Sequence, residues 1–212
     1  MKVTFFAALS VFLVLTLTGC GSDHNDGPPL FVTEILSESD YDGDIKLDSF
    51  TDVLSIAQGN TQRVRAGVDP LSGSEYRAFL HFSLDSVPLN AIIESAFLEI
   101  FINKVDIEFP SDMIPVRIDL VSFQPPFLVE SDFNFLARLD VPPVKFPLFL
   151  ADSGEYVTID VTPLMIAAQN LSDFQVRIME DFGDVPLGLI EINDTTGVNR
   201  SILAPLLTVN YF

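Results

Sequence analysis

Three aspartates at alternate positions, Asp40, Asp42 and Asp44, have the spacing and the chemistry of a metal site. Carboxylate oxygens are hard ligands of the kind that Ca²⁺ prefers. The segment is not an EF-hand loop, because a loop that begins at Asp40 needs glycine at its sixth position and glutamate at its twelfth, where the chain has Ile45 and Thr51. The three carboxylates still have the chemistry of calcium ligands outside an EF-hand, so Ca²⁺ is their candidate cofactor. The alternative is a solvated acidic turn before the first strand.

Two segments of alternating polarity, Tyr76–Leu84 and Ala96–Lys104, offer a candidate ligand site. Every second residue is apolar, so one face of each strand suits a core and the other face is mixed. Aromatic rings beside planar polar groups are a common arrangement for binding sugars. The candidate ligand-binding residues are Arg77, Phe79, His81, Phe97, Glu99 and Phe101, with Tyr156 as an additional member. The alternative is that these phenylalanines pack beneath a loop or a helix.

Hydrolytic chemistry has little support in the sequence. A site built from a nucleophile, a histidine and an acid needs a histidine, and the chain has two, His24 and His81. The sequence contains no G-x-S-x-G, no H-E-x-x-H and no glycine-rich phosphate loop. With 30 acidic residues some close carboxylate pair is expected by number alone, so no glycosidase pair is singled out. The sequence therefore predicts a protein that is not an enzyme.

The single cysteine, Cys20, follows a segment with the features of a secretory signal. Lys2 supplies a positive start, and the apolar run Phe5–Leu17 is shorter than the ~20 residues that span a bilayer as a helix. The residues Leu17-Thr18-Gly19-Cys20 resemble the bacterial lipobox, in which the cysteine thiol receives a diacylglyceryl group before cleavage and further acyl chains such as palmitate follow. Residues 1–19 are thus predicted to be a lipoprotein signal peptide and Cys20 the lipidation site. The alternative is an ordinary signal peptide with an incidental cysteine.

The residues after Cys20 bear on where the protein resides. Residues 20–30 are polar and rich in turn formers, so they are predicted to be a flexible spacer. Gly21 rather than aspartate follows the cysteine, which by resemblance to lipoprotein sorting in enteric bacteria favours the outer membrane. Several acyl chains together give stable anchoring. The predicted location is the cell envelope of a Gram-negative bacterium, on the outer membrane.

Composition narrows the range of partners. The 212 residues include 11 basic and 30 acidic side chains, for a net charge of −19. Such a field repels phosphate backbones, which excludes nucleic acid as a partner, and disfavours adsorption to anionic headgroups. The lipid on Cys20 is therefore the predicted membrane contact. The region from residue 31 to residue 212 has the length of one domain.

The pattern of the remaining sequence predicts an all-β fold. Short alternating or β-branched runs are separated by Gly, Pro, Asn and Asp. The predicted strands are Val53–Ala57, Arg63–Val68, Tyr76–Leu84, Ala96–Lys104, Val116–Ser122, Tyr156–Val161, Phe174–Met179, Leu189–Asn193 and Leu206–Tyr211. One short helix, Pro163–Gln169, is predicted with Thr162 as its N-cap. The proline pairs at 125–126 and 142–143 predict an extended excursion rather than a central strand. Residues 31–212 are thus predicted to form one antiparallel β-sandwich.

Three segments in sequence order, the first of which runs from Tyr76 to Ile100, resemble the DNRLRE-domain family. Tyr76–Leu84 and Val87–Ile100 are similar to its two-strand core, R-x-L-x-x-F-x-L followed by P-x-x-A-x-I-x-x-A-x-L. Thr158–Thr162 resembles its D-V-T strand, and Pro205–Tyr211 resembles its closing strand. The resemblance implies a jelly-roll sandwich of the kind attached to secreted polysaccharide-degrading enzymes. Some members of that family are carbohydrate-binding modules.

These observations predict a membrane-anchored lipoprotein that displays a non-catalytic sandwich. Its predicted ligand is a glycan or a matrix polysaccharide. The first alternative is a structural or assembly lipoprotein that binds another protein of the cell envelope. The second alternative is a polysaccharide-active enzyme.

Overall fold

A computed structural model describes residues 28–123, 127–134, 141–181 and 187–212. The predicted signal peptide, residues 1–19, the predicted lipidation site Cys20 and residues 20–27 of the predicted spacer lie outside these ranges. Within the described ranges, no helix has the length and apolar character needed to cross a bilayer. The prediction of an all-β antiparallel sandwich of the jelly-roll type is confirmed.

Twelve strands and two short helices form the described part of the chain. The strands are β1 (Phe31–Leu36), β2 (Gly43–Leu47), β3 (Leu54–Gln58), β4 (Gln62–Val68), β5 (Glu75–Ser83), β6 (Ile93–Ile107), β7 (Met113–Leu120), β8 (Val144–Phe149), β9 (Tyr156–Asp160), β10 (Asp173–Glu180), β11 (Gly188–Asp194) and β12 (Leu206–Tyr211). The helices are α1 (Thr162–Ala168) and α2 (Arg200–Leu203). All nine predicted strands are present, with small shifts at their ends.

Three strands, β1, β2 and β8, were not predicted. The sequence GDIKL of β2 is too polar to be predicted as a buried strand. In the fold, Asp44 forms an ion pair with Arg65, and Lys46 forms one with Asp48. Pro147 interrupts β8, which is consistent with its place at the end of the strand order, since proline is tolerated on edge strands.

The sheet curls into two layers that share β6. The strand order is β1-β12-β6-β11-β4-β5-β10-β7-β8, with every pairing antiparallel. The first half of β6 lies between β12 and β9, and its second half pairs with β11. We call β1, β12, the first half of β6 and β9 the front layer. The back layer consists of β11, β4, β5, β10, β7 and β8, and β2 and β3 extend it from β5.

The core lies between the two layers, as the alternation predicts. Leu98 and Ile100 of β6 and Leu80 and Phe82 of β5 are completely buried there. Helix α1 closes the core with Leu164, Met165 and Ala168.

The predicted N-cap of α1 needs a correction. Thr162 is the first helical residue, and Val161 precedes it without a side-chain cap. The Thr162 hydroxyl donates instead to the Asp160 carboxylate, at 2.6 Å, and accepts the Ala96 N–H at 2.9 Å. Thr162 therefore ties the start of α1 to β6 and β9 rather than capping the helix.

A second, smaller hydrophobic cluster covers the outer face of the back layer. Residues 121–123 and 127–134, here called the cover segment, lie over β5 and include a 3₁₀ turn at Glu130–Asn134. The buried members of the cluster are Ile45, Phe79, Val121, Phe123, Leu128 and Phe133. A sandwich whose outer faces were both wet would leave Phe79 exposed, so the cover segment changes what that face can do.

Candidate functional site

The six predicted ligand-binding residues divide between the two layers. Arg77, Phe79 and His81 lie on the outer face of β5 in the back layer, whereas Phe97, Glu99 and Phe101 lie on the outer face of β6 in the front layer. They do not form one site.

The β5 residues are engaged in packing. Phe79 is 1% exposed and meets Phe123 edge to face, with ring centroids 5.8 Å apart. His81 is 3% exposed, and its ring lies 4.9 Å from that of Tyr41. The packing alternative therefore applies to Phe79, and neither ring presents a surface to a sugar.

Arg77 also serves the cover segment rather than a ligand. Its Nε donates to Glu75 Oε1 at 2.6 Å, and its guanidinium stacks 3.9 Å over the ring of Phe133. An Nη1 hydrogen bond to the Phe133 carbonyl completes the contact. Stacking with two hydrogen bonds fixes the guanidinium, which holds the cover segment in place.

An ion-pair cluster that the sequence reasoning missed adjoins Arg77. Asp119 is fully buried and accepts from Arg177 Nη2 at 2.6 Å and from Arg117 Nη2 at 2.9 Å. Arg177 Nη1 also donates to the Phe133 carbonyl, at 3.2 Å. The available signal was the alternation of Arg117 and Asp119 on one face of β7. The cluster is structural, because it links β7 and β10 to the cover segment.

The front layer presents its aromatic residues differently. Strand register places Phe101 opposite Tyr156, Glu99 opposite Thr158 and Phe97 opposite Asp160 on β9. The rings of Phe101 and Tyr156 are 5.0 Å apart and nearly perpendicular, and Tyr156 is 43% exposed. The Tyr156 hydroxyl donates to the Ile202 carbonyl of α2 at 3.1 Å, which orients the ring.

Polar side chains continue this face on both sides of the aromatic pair. Thr208 of β12 lies opposite Phe97, and Glu34 of β1 lies opposite Thr208. Residues directly opposite in an antiparallel pair share a face, so Glu34, Thr208, Glu99 and Thr158 point the same way. We call this surface the front face: aromatic at Phe101 and Tyr156, and polar around them.

A cleft of about 330 Å³ borders the front face where β8 and β9 approach each other. Phe146, Val157 and Ile159 supply its apolar lining, and Lys145, Thr158 and Asp160 its polar lining. The Thr162 hydroxyl and N–H donate to Asp160 and lower the pKa of its carboxyl, so Asp160 is ionised at neutral pH. The volume lies at the small end of the range for ligand pockets.

The three aspartates predicted to bind Ca²⁺ have different surroundings. Asp40 is exposed and accepts from Asn60 at 3.4 Å, Asp42 accepts the His81 N–H at 2.8 Å, and Asp44 pairs with Arg65 at 3.3 Å. Among the described residues, no group of three His, Cys, Asp or Glu side chains is arranged to hold a metal ion. The fold therefore gives no support to the calcium prediction for Asp40, Asp42 and Asp44. Asp42 and Asp44 are buried, and β2 begins between them at Gly43, so a solvated turn does not describe these two residues.

Asp42 belongs instead to a buried carboxylate pair with Asp194 of β11. Burial raises the pKa of Asp42 well above its ordinary value, and the charge of Asp194 raises it further. Burial also raises the pKa of Asp194. Arg200 of α2 opposes this shift, because its guanidinium donates to the Asp194 carboxylate at 3.1 Å. The Arg200 guanidinium also bonds Ser37 at the end of β1. The Arg200 guanidinium thus supplies the positive charge of this cluster, which joins β1, β11 and α2.

These features define an antiparallel β-sandwich with one covered outer face and one open outer face that carries an aromatic pair. No protein-family model matches this chain, and no curated protein matches it.

Proposed function

We propose that the protein is an exported lipoprotein, anchored through Cys20, whose front face binds glycan chains without chemical conversion. The observation that carries the proposal is the pair Phe101 and Tyr156, seated on an open sheet face among polar side chains. The similarity of three segments to DNRLRE domains supports the same interpretation. Gly21 after Cys20 favours the outer membrane.

The chemistry of the front face suits a sugar ring. The C–H groups of a pyranose pack against an aromatic ring, and its hydroxyls need acceptors in fixed positions nearby. Tyr156 presents the exposed ring, and Glu99 and Thr158 form the next residue pair on the same face, two residues along each strand from Phe101 and Tyr156. The hydrogen bond from the Tyr156 hydroxyl to the Ile202 carbonyl holds the ring in one rotamer before binding. Less rotamer entropy is therefore lost when a ligand binds.

Charge narrows the class of glycan. Glu34, Glu99 and Asp160 lie on or beside the front face, and the whole chain carries a net charge of −19. Carboxylates accept hydrogen bonds from neutral sugar hydroxyls but repel the carboxylates of a polyuronate. The proposed ligand is therefore a neutral polysaccharide, such as a xylan or a glucan, rather than alginate or pectate.

Affinity electrophoresis of the soluble Cys20→Ser protein tests glycan binding. We expect retardation in gels that contain a neutral polysaccharide and little in gels that contain a polyuronate. Tyr156→Ala should weaken the retardation about tenfold, equivalent to about 1.4 kcal/mol. Phe109→Ala, in the turn after β6, is the matched control, because Phe109 is 92% exposed and far from the front face. Unchanged mobility across a broad panel of neutral glycans would refute the binding proposal.

The anchor has its own test. Wild-type protein should fractionate with membranes and incorporate labelled fatty acid, and Cys20→Ser should do neither while remaining folded. Continued membrane fractionation of Cys20→Ser would contradict the anchor and leave the glycan proposal standing, so the two parts fail separately.

A second candidate function, an assembly lipoprotein that binds another envelope protein, is favoured by a different surface. Phe50 is 84% exposed and Leu71 is 97% exposed, and their loops are joined by a hydrogen bond from Ser49 to the Ser72 carbonyl. Exposed apolar side chains on neighbouring loops are a feature of protein-binding surfaces. Crosslinking in cells should then yield one stoichiometric protein partner that Phe50→Ser abolishes and Tyr156→Ala does not.

A further inference from the structure

One end of the front layer carries a group of exposed apolar side chains. We call this group the apolar end. Each member is between 37% and 70% exposed. Its members are Leu30, Phe31, Val32, Leu89, Ile92 and Phe212.

Strand pairing brings together the strand ends that carry these residues, except for Leu89, which lies in the loop before β6. Phe31 of β1 pairs with Tyr211 of β12, and their rings stack with centroids 5.8 Å apart. Phe212 follows Tyr211 and exchanges two backbone hydrogen bonds with Ile92, each 3.1 Å long. The start of β1, the end of β12 and the approach to β6 therefore lie side by side, in the order of the sheet.

The apolar end is also where the chain leads back toward Cys20. Ten positions separate Cys20 from Leu30. A segment of that length spans at most about 35 Å even when fully extended. A lipid on Cys20 therefore keeps the start of β1 near the bilayer, and with it the strand ends that pair beside it.

We propose that the apolar end rests on the lipid bilayer and inserts into the boundary between headgroups and acyl chains. The inference rests on the lipid anchor of the proposed function. An amphipathic surface of this kind sits about 5–10 Å into that boundary. The contact need not be strong, because the anchor makes it intramolecular, with an effective concentration in the millimolar range.

The contact sets the orientation of the domain. β6 begins at Ile93, beside the apolar end, and runs for 15 residues to Ile107. At a rise of about 3.3 Å per residue the strand is roughly 45 Å long along its path, so Phe109 lies at the far end of the domain from the bilayer. Glu99 and Phe101 lie farther along β6 than Ile93, so the contact holds the front face just above the headgroups.

Charge argues for a shallow contact. Glu34, Asp85 and Glu94 are exposed near the apolar end. Carboxylates avoid hydrocarbon and repel anionic headgroups, whereas the apolar side chains gain free energy on leaving water. The bilayer that suits this surface is zwitterionic.

A tryptophan reporter can test the contact, because the chain contains no tryptophan. Lipidated full-length protein would be reconstituted into phosphatidylcholine vesicles in which part of the lipid has brominated acyl chains. Phe31→Trp and Ile92→Trp place the reporter in the apolar end on two different strands. Phe109→Trp places it in a more exposed turn, 92% exposed at Phe109, at the far end of β6 and is the matched control.

We expect the emission of the reporters at positions 31 and 92 to shift to shorter wavelength on reconstitution and to be quenched by the brominated lipid. The reporter at position 109 should keep its water-exposed emission. Introducing Cys20→Ser into each variant should abolish the shift and the quenching, because the contact alone is weak.

Two results would overturn the proposal. Lipidated protein that binds the vesicles with all three reporters unquenched would show that the domain stands clear of the bilayer, and the anchor would survive. A shift at positions 31 and 92 in the Cys20→Ser protein without vesicles, together with a dimer in sedimentation velocity, would assign the apolar end to a second copy of the chain. Failure of the wild-type protein to bind vesicles at all would instead refute the anchor and the docking together.

Discussion

The outer faces of β5 and β6 carry the same sequence pattern, and the fold treats them differently. On β5, Phe79 and His81 lie beneath the cover segment, whereas on β6 the ring of Phe101 meets Tyr156 on an open face. Alternation within a strand predicts which side chains reach the core. It contains no information about what crosses the opposite face, because that depends on a loop distant in sequence.

The electrostatics of the two faces differ in the same way. On the back layer, Asp119 and Arg177 form a buried ion pair, while on β6 Lys104 and Asp106 form a pair, 2.7 Å apart, in which both side chains remain about half exposed. Burial removes the screening by water, so a charge left without its counter-charge costs far more on the covered face.

The largest expected effect follows from that difference. Asp119→Asn keeps the side-chain volume but removes the negative charge that Arg117 and Arg177 share. We expect a loss of about 3–5 kcal/mol in the free energy of unfolding, measured by urea denaturation of the Cys20→Ser protein. Asp106→Asn is the matched control and should cost less than about 1 kcal/mol. Equal losses would mean that the covered cluster is no more desolvated than the surface pair.

The aromatic residues provide a second contrast of nearly the same size. Phe79→Ala should cost about 3–5 kcal/mol in the free energy of unfolding, because it leaves a cavity beneath the cover segment. Tyr156→Ala should cost less than about 1 kcal/mol, because that side chain is 43% exposed. Thermal and urea unfolding would check both values. A large loss in the free energy of unfolding for Tyr156→Ala would indicate that this side chain packs in the fold rather than binding a ligand.

The comparison of the two faces also shows which parts of the fold and of the candidate site can be predicted from the sequence. The nine predicted strands and α1 follow from periodicity and from Pro163, which are local signals. The strand β2 escapes prediction because Asp44 is satisfied by Arg65 of β4, a long-range partner. Phe101 and Tyr156 are predictable as outward-facing aromatic residues, but their pairing depends on the register of β9 against β6. The buried pair of Asp42 and Asp194 has no local signal.

A third prediction concerns Glu180, a buried carboxyl on β10. Burial raises its pKa from an ordinary 4.5 to about 7, although the backbone N–H groups of Val68 and Gly188 oppose the shift. The folded protein therefore holds this proton where the unfolded chain releases it. The contribution of Glu180 to stability is complete below about pH 4.5 and is lost as the pH rises to about 7.

Glu180→Gln mimics the protonated form at every pH. We expect the variant to be more stable than the wild type by about 1–3 kcal/mol at pH 8 and nearly equal to it at pH 4.5. Urea denaturation at several pH values measures the difference. The matched control is Asp119→Asn, which removes a buried carboxylate that has counter-charges and should be destabilising at pH 8. A stability difference for Glu180→Gln that does not change with pH would show that burial leaves the pKa of Glu180 the same in the folded protein as in the unfolded chain.

The smallest expected effect lies at Asp160, where the front face meets α1. Its carboxylate accepts from the Thr162 N–H and hydroxyl, at 2.9 and 2.6 Å, and these bonds lower its pKa. Because the folded-state pKa is depressed, the stabilisation is present above the ordinary pKa of 3.8 and is lost as the pH falls through the lower, folded value. Asp160→Ala should therefore cost about 1 kcal/mol at pH 7, similar to the loss of a helix cap, and less at pH 2.5. Thr162→Ala should cost more, because it also removes the contact with Ala96 of β6. If Asp160→Ala instead abolished glycan retardation while the free energy of unfolding stayed unchanged, this carboxylate would belong to the binding surface rather than to the start of the helix.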